Sequence, residues 1–143
     1  MSSLAALSID DRAEIVQLVG DYGYHHDERD FGRLGELFTD DALYTMVIAG
    51  GDTIGPRQGR DAIVAQISEF KSRQSDIRRH VITNITVTIV NSDAANVRSY
   101  VSVLATTPER TEVVTAGVYH DRVVRQGGRW LIAEKLLRLD RSF

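Results

Sequence analysis

The stretch Arg78-Arg79-His80-Val81-Ile82-Thr83-Asn84-Ile85-Thr86-Val87-Thr88-Ile89-Val90 decides the fold class. Its residues alternate at period two and are rich in β-branched side chains, the pattern of a long strand with one covered face. Three more strands of that texture follow, about 95–106, 111–125 and 129–140. The links between them are Asn91-Ser92-Asp93, Thr107-Pro108-Glu109 and Gln126-Gly127-Gly128. Connections this short join antiparallel neighbours, so the second half of the chain reads as a meander.

Upstream the period changes to that of helices. Ser8, with Asp11 three residues on, makes a capping-box start, and Asp10 and Asp11 suit the positive end of a helix. Ile15, Leu18, Val19 and Tyr22 then form one apolar stripe, and the helix is expected to end near Asp27. Gly20 and Gly23 each suggest close approach by a neighbouring element. Asp30 caps a short second helix, Phe31 to Phe38, and Thr39-Asp40-Asp41 turns the chain into a strand, Ala42 to Ile48. Residues 49–56 read as a loop, and a third helix runs from Asp61 to Arg73 with Ile63, Val64, Ile67 and Phe70 on its inner face. Helices first and antiparallel strands afterwards define an α+β domain spanning residues 1–143, with its core at about 8–140.

Composition narrows the function. The 143 residues carry 20 acidic and 17 basic side chains, a formal −3, with no basic block to support nucleic-acid binding. Cysteine is absent, which excludes thiolate catalysis and cysteine-built zinc sites. No apolar run approaches the ~20 residues of a membrane span. Met1-Ser2-Ser3-Leu4-Ala5-Ala6-Leu7 has no basic n-region, so a cytoplasmic location without a signal peptide is expected. Neither Gly-x-Ser-x-Gly nor a phosphate-loop Lys-Ser/Thr is present.

The titratable groups cluster. His25, His26 and Asp27 close the first helix, where they either reach solvent or line a pocket. At 100° per residue His26 falls on the buried face, His25 on the far flank and Asp27 at the margin. On the first long strand His80, Ile82 and Asn84 share one face, while Val81, Thr83, Ile85 and Val87 share the other. The polar–apolar–polar face suits a pocket wall, but the apolar residues of the other face, Val81, Ile85, Val87 and Ile89, make it an equal candidate for the core. His120, isolated on a later strand, reads as a surface or interface residue. Neighbouring histidines on a helix diverge and no His-x-x-x-His spacing occurs, so no metal is expected from His25, His26, Asp27 and His80.

The order of several short motifs resembles the SnoaL-like family of the nuclear transport factor 2-like superfamily. They are Tyr22…Asp27-x-x-Asp30, Leu34-x-x-Leu37-Phe38-Thr39-Asp40-Asp41-Ala42, Gly59-Arg60-Asp61-Ala62-Ile63, Arg79-His80-x-x-x-Asn84 and Gly128-Arg129-Trp130-x-Ile132. The resemblance implies a cone in which three N-terminal helices pack on a strongly curved, mainly antiparallel sheet around a deep pocket. Within the superfamily the pattern is most similar to scytalone dehydratase and the hexachlorocyclohexane dehydrochlorinase type. Those enzymes use an Asp–His pair at the positions of Asp27 and His80. The dehydratase tyrosine that precedes the Asp is His26 here, and Tyr44 matches a second one. Two polar dehydratase positions, falling near Thr106 and near Val118 or Tyr119, are not reproduced.

The resemblance thus implies Asp27 and His80 as catalytic residues, with His26, Tyr44, Asn84, Tyr22 and Tyr119 binding substrate. The chemistry implied is dehydration, elimination, isomerisation or cyclisation of a small apolar, often cyclic molecule, without metal or redox cofactor. Polyketide-, steroid- or terpenoid-like substrates fit. The superfamily also holds non-catalytic members, the small subunits of ring-hydroxylating dioxygenases. The expected partners are the substrate and further copies of this chain, as a homodimer or homotrimer.

Overall fold

The computed structural model describes residues 7–143. The stretch preceding Leu7, on which the absence of a leader was argued, lies outside them. Helix α1 (Ile9–Asp27) begins at the anticipated capping box, in which Ser8 Oγ accepts from Asp11 N–H at 3.0 Å and Asp11 Oδ2 accepts from Ser8 N–H at 3.3 Å. Helix α2 (Phe31–Glu36) is followed by β1 (Phe38–Ile48), β2 (Thr53–Gln58), α3 (Arg60–Ser72), β3 (Ile77–Asn91), β4 (Ala94–Thr106), β5 (Thr111–Gln126) and β6 (Arg129–Leu139).

The six strands form one sheet in the order β2-β1-β6-β5-β4-β3. Strands β3 to β6 are the expected antiparallel meander, and Gly127 and Gly128, at φ 57° and 76°, make the tight turn before β6. Strand β1 joins the far side of β6 in parallel, Tyr44 opposite Lys135 and Met46 opposite Leu137. A parallel neighbour needs a long crossover, and the whole region from β2 through β5 supplies it. Among the described residues no helix is long and apolar enough to cross a membrane.

Three boundaries differ from the sequence reading. Helix α2 stops at Glu36, with Leu37 as its cap, and Phe38 already belongs to β1. Thr39-Asp40-Asp41 is an irregularity inside β1, where its register with β6 slips between Phe38 and Leu43. The expected loop 49–56 is a turn followed by β2, whose Gly55 and Pro56 disguised it. A proline is tolerated there because β2 is an edge strand with one side free of ladder bonds.

Strand β3 carries the correction that bears on function. Its ladder with β4 shifts between Thr83 and Thr86, and Asn84 sits there at φ 56°. Asparagine is among the few residues that adopt the left-handed region readily. The bulge changes the phase of the strand, so His80 and Ile82 face inward before it and Ile85, Val87 and Ile89 after it. Both candidate faces were right, each for half of the strand. The core fills the concave side of the sheet: Ile15, Val19 and Tyr22 of α1 and Ile63 and Ile67 of α3 meet Val97, Val101, Tyr119, Val123 and Ile132.

Candidate active site

Helix α1 runs against β3 so that its last residue, Asp27, lies beside His80. Gly23 allows this approach, since a Cβ there would stand 3.2 Å from Ile82 Cδ1 and 3.5 Å from the His80 carbonyl oxygen. Gly20 has no such role, because nothing lies within 4 Å of its Cβ position. Asp27 grips His80 twice: Oδ1 lies 2.5 Å from Nδ1, and Oδ2 accepts the His80 backbone N–H at 2.8 Å. Both side chains are largely shielded, 15% and 11% exposed. With Nδ1 engaged by the carboxylate, Nε2 is the imidazole nitrogen left free for other work.

His80 is part of the wall of a partly open cavity of about 50 Å³ between helices and sheet. His26, Tyr44, Arg78 and Tyr119 contribute polar groups to it, and Met46, Val101, Val103, Leu137 and Leu139 make it mostly apolar. Phe70 and Phe143 also line it, their rings meeting edge to face with centroids 5.3 Å apart. The expected pocket is therefore present but narrow.

His26 stands over His80, ring centroids 4.2 Å apart. Burial, then the neighbouring His80 and Lys71, hold its imidazole well below the ordinary histidine range, so it is neutral at physiological pH. Beneath it three tyrosines cluster: Tyr22 and Tyr44 share a hydroxyl contact of 3.4 Å, and Tyr22 meets Tyr119 edge to face at 5.6 Å. Burial pushes Tyr44 up to about 12, and Tyr22 and Tyr119 well above the usual phenol value, so all three remain neutral hydrogen-bond donors.

Under this cluster lies an ion pair that the sequence reading missed. Lys135 Nζ sits 2.9 and 3.0 Å from the Asp121 carboxylate oxygens, each side chain 1% exposed. The ammonium also stacks 4.1 Å from the Tyr22 ring centroid and 4.0 Å from that of Tyr119. Burial pushes Asp121 up and Lys135 down, each opposed by the charge of the other. A signal for the pair existed: Asp121 alternates with Tyr119 and Val123, and Lys135 with Ala133 and Leu137, so both fall on the inward phase.

The anticipated residues thus separate. Asp27, His80, His26, Tyr44 and Tyr119 come together at the cavity or directly behind its wall. Tyr22 is buried behind Tyr44 and Tyr119 rather than lining the space. Asn84 is exposed at the bulge and does not reach the cavity, which corrects its assignment to substrate binding. His120 lies exposed on the outer face, as expected. One further expectation needs amendment: His26 and Asp27, though adjacent on a helix, do converge with His80, their ligand-type atoms within 4.8 Å of one another. They could gather a cation, but both Asp27 oxygens are already committed to His80.

An α+β cone with an Asp–His pair beside a partly open apolar cavity defines a class, and comparison with known proteins narrows it. Residues 7–135 match the SnoaL-like domain, and the chain belongs to that family. Among curated proteins no sequence matches it. Solved structures do. A nuclear transport factor 2-like protein with a cystatin-like fold from Novosphingobium aromaticivorans is 26% identical, over 92% of this chain and 82% of its own, with a TM-score of 0.80. A putative scytalone dehydratase from the same organism is 26% identical, over 92% and 85%, with a TM-score of 0.73. A Catenulispora acidiphila protein in complex with S-DNPA is 28% identical, over 92% and 95%, with a TM-score of 0.79.

Proposed function

We propose that this protein is a cofactor-independent lyase or isomerase in which the Asp27–His80 pair acts as general base on a small, mainly apolar, cyclic substrate. The observation that carries the reading is the double hold of Asp27 on His80, through ring nitrogen and backbone N–H, beside an apolar cavity. The carboxylate fixes the tautomer, so that Nε2 accepts a proton from the substrate, and it stabilises the imidazolium that results. Neutral Tyr44, Tyr119 and His26 offer donors to oxygen charge developing on the substrate or leaving group. Dehydration or β-elimination uses such a set directly, with the proton removed by His80 and the leaving hydroxyl protonated from the donors. The likeness to a putative scytalone dehydratase and to a protein crystallised with S-DNPA supports a small-molecule substrate.

The test is turnover of Asp27→Asn and His80→Ala on an identified substrate. Each is expected to lose about 10²–10⁴-fold in kcat, the usual worth of a positioned general base. Near-normal turnover in both variants removes the pair from the mechanism. A second reading, a non-catalytic binding protein, is favoured by the narrowness of the cavity at about 50 Å³. It predicts bound but unchanged ligand with the unmodified protein.

The assembly we propose is a homodimer or homotrimer, its contact built on the outer sheet face, where Val81, Tyr100 and Val113 are exposed. Light scattering that gives a monomer at micromolar concentration contradicts it.

A further inference from the structure

Gln74 belongs to the link between α3 and β3, outside every periodic pattern in the sequence, and its position is nevertheless closely held. Its backbone N–H donates to the Lys71 carbonyl at 3.1 Å, and its own carbonyl accepts from Arg29 Nη2 at 3.0 Å. So anchored, its side chain forms part of the cavity wall beside His80. There Gln74 Oε1 is buried and has no hydrogen-bond partner among the described residues. His26 Nδ1, in the wall of the same cavity, is in the same state. Buried polar atoms in native proteins find partners almost without exception, and two orphans on residues that line one space point to a partner brought by what fills it.

The chemistry of the missing partner can be read from the walls. Gln74 Oε1 accepts only, so the partner donates a hydrogen bond. Arg78 is the arginine of the wall, and its charge is engaged by Asp76, with Nε 2.9 Å from Oδ1 and Nη2 3.4 Å from Oδ2. Burial and the adjacent His80 keep His26 uncharged. An anionic group therefore meets no available counter-charge on this wall, and burying it there is unfavourable. A hydroxyl, with one donor and two acceptor sites, satisfies an amide oxygen and either tautomer of a neutral imidazole. The rest of the wall, Met46, Phe70, Val101 and Leu137, is apolar and matches a ring in character, the narrow space widening to admit it.

The geometry points to Gln74 as a specificity-determining residue that, with His26, selects ligands burying an uncharged hydroxyl on an apolar ring. The inference rests on the reading of this cavity as the ligand site but not on the Asp27–His80 pair performing any step. Such discrimination is strong where a site is built to hydrogen-bond a hydroxyl, because an analogue lacking it leaves the polar wall unpaired.

Phenol, anisole and benzoate are the probes, matched in ring and differing in the polar group. Each is titrated into the isotope-labelled full chain, with the Gln74 side-chain amide and the His26 imidazole followed by NMR. Phenol is expected to shift both signals and to bind at least about ten-fold more tightly than anisole or benzoate. In Gln74→Leu the preference for phenol over anisole is expected to vanish, and Gln74→Met serves if the leucine variant does not fold. Equal binding of phenol and anisole by the unmodified chain overturns the proposal. So does tighter binding of benzoate, a preference unchanged in Gln74→Leu, or a cavity that admits no probe because water alone satisfies its walls. Repeating the titration in Asp27→Asn separates the two readings: a preserved preference upholds the role of Gln74 even where the pair proves to have no catalytic part.

Discussion

His26 shows how a single position is given its character by what surrounds it. It occupies the last turn of an amphipathic helix, and the helical phase alone turns it inward against His80 and Tyr22. Lys71 from α3 and Lys135 from β6 add positive charge to the burial and to His80, and all disfavour a proton on its ring. The consequence for stability has a definite sign. The unfolded chain takes up a proton at this residue below about the ordinary value of 6.5, while the folded chain refuses it until much lower pH. Stability contributed here is complete above that value and falls as the pH drops below it. The Tm of the protein should therefore decline more steeply between about pH 6.5 and 5 than that of His26→Phe. Parallel declines for the two proteins contradict the neutral, buried state of this imidazole.

At the scale of elements, β3 separates what local pattern can and cannot tell. Its existence, each of its ends within a residue and its antiparallel partner follow from β-branching and the short turn after it. Its phase does not, because period-two counting assumes an unbroken pleat and the bulge at Asn84 breaks it. The same limit hid β2, whose Gly55-Pro56 reads as a turn unless the strand is known to lie at an edge. The pairing of Asp27 with His80, 53 positions apart, was legible only by resemblance to a family. Gln74 was not legible at all, since a linker residue has no period to place it. The bulge itself is open to test. Asn84→Gly should be tolerated within a few tenths of a kcal/mol, whereas Asn84→Val, forced to a positive φ, should lose about 1–3 kcal/mol in urea unfolding. Equal stability of the two variants shows that the strand relaxes to a regular pleat.

For the molecule as a whole, the buried Lys135–Asp121 pair joins β5 to β6 directly across the ladder and supports the tyrosines beneath the cavity from below. Removing one partner leaves a charge with no solvent and no counter-ion. Asp121→Asn should cost about 3–5 kcal/mol, while the double change Asp121→Leu with Lys135→Met should recover most of it. Denaturant unfolding decides the matter, and a single variant as stable as the original overturns this account of the pair.

Strand β6 also sets an order in time. It lies between β1, made early in the chain, and β5, made late, so Tyr44 has no ladder partner on that side until Lys135 exists. While the ribosome is still extending the chain through β5, β1 can pair with β2 and α1 can rest on β3, but the second edge of β1 stays open. The buried faces of Phe38, Tyr44 and Met46 then depend on a neighbour not yet synthesised. Contacts this remote in sequence form slowly and leave apolar surface open meanwhile. Completion of the last strand is thus the event that commits the nascent polypeptide to its shape.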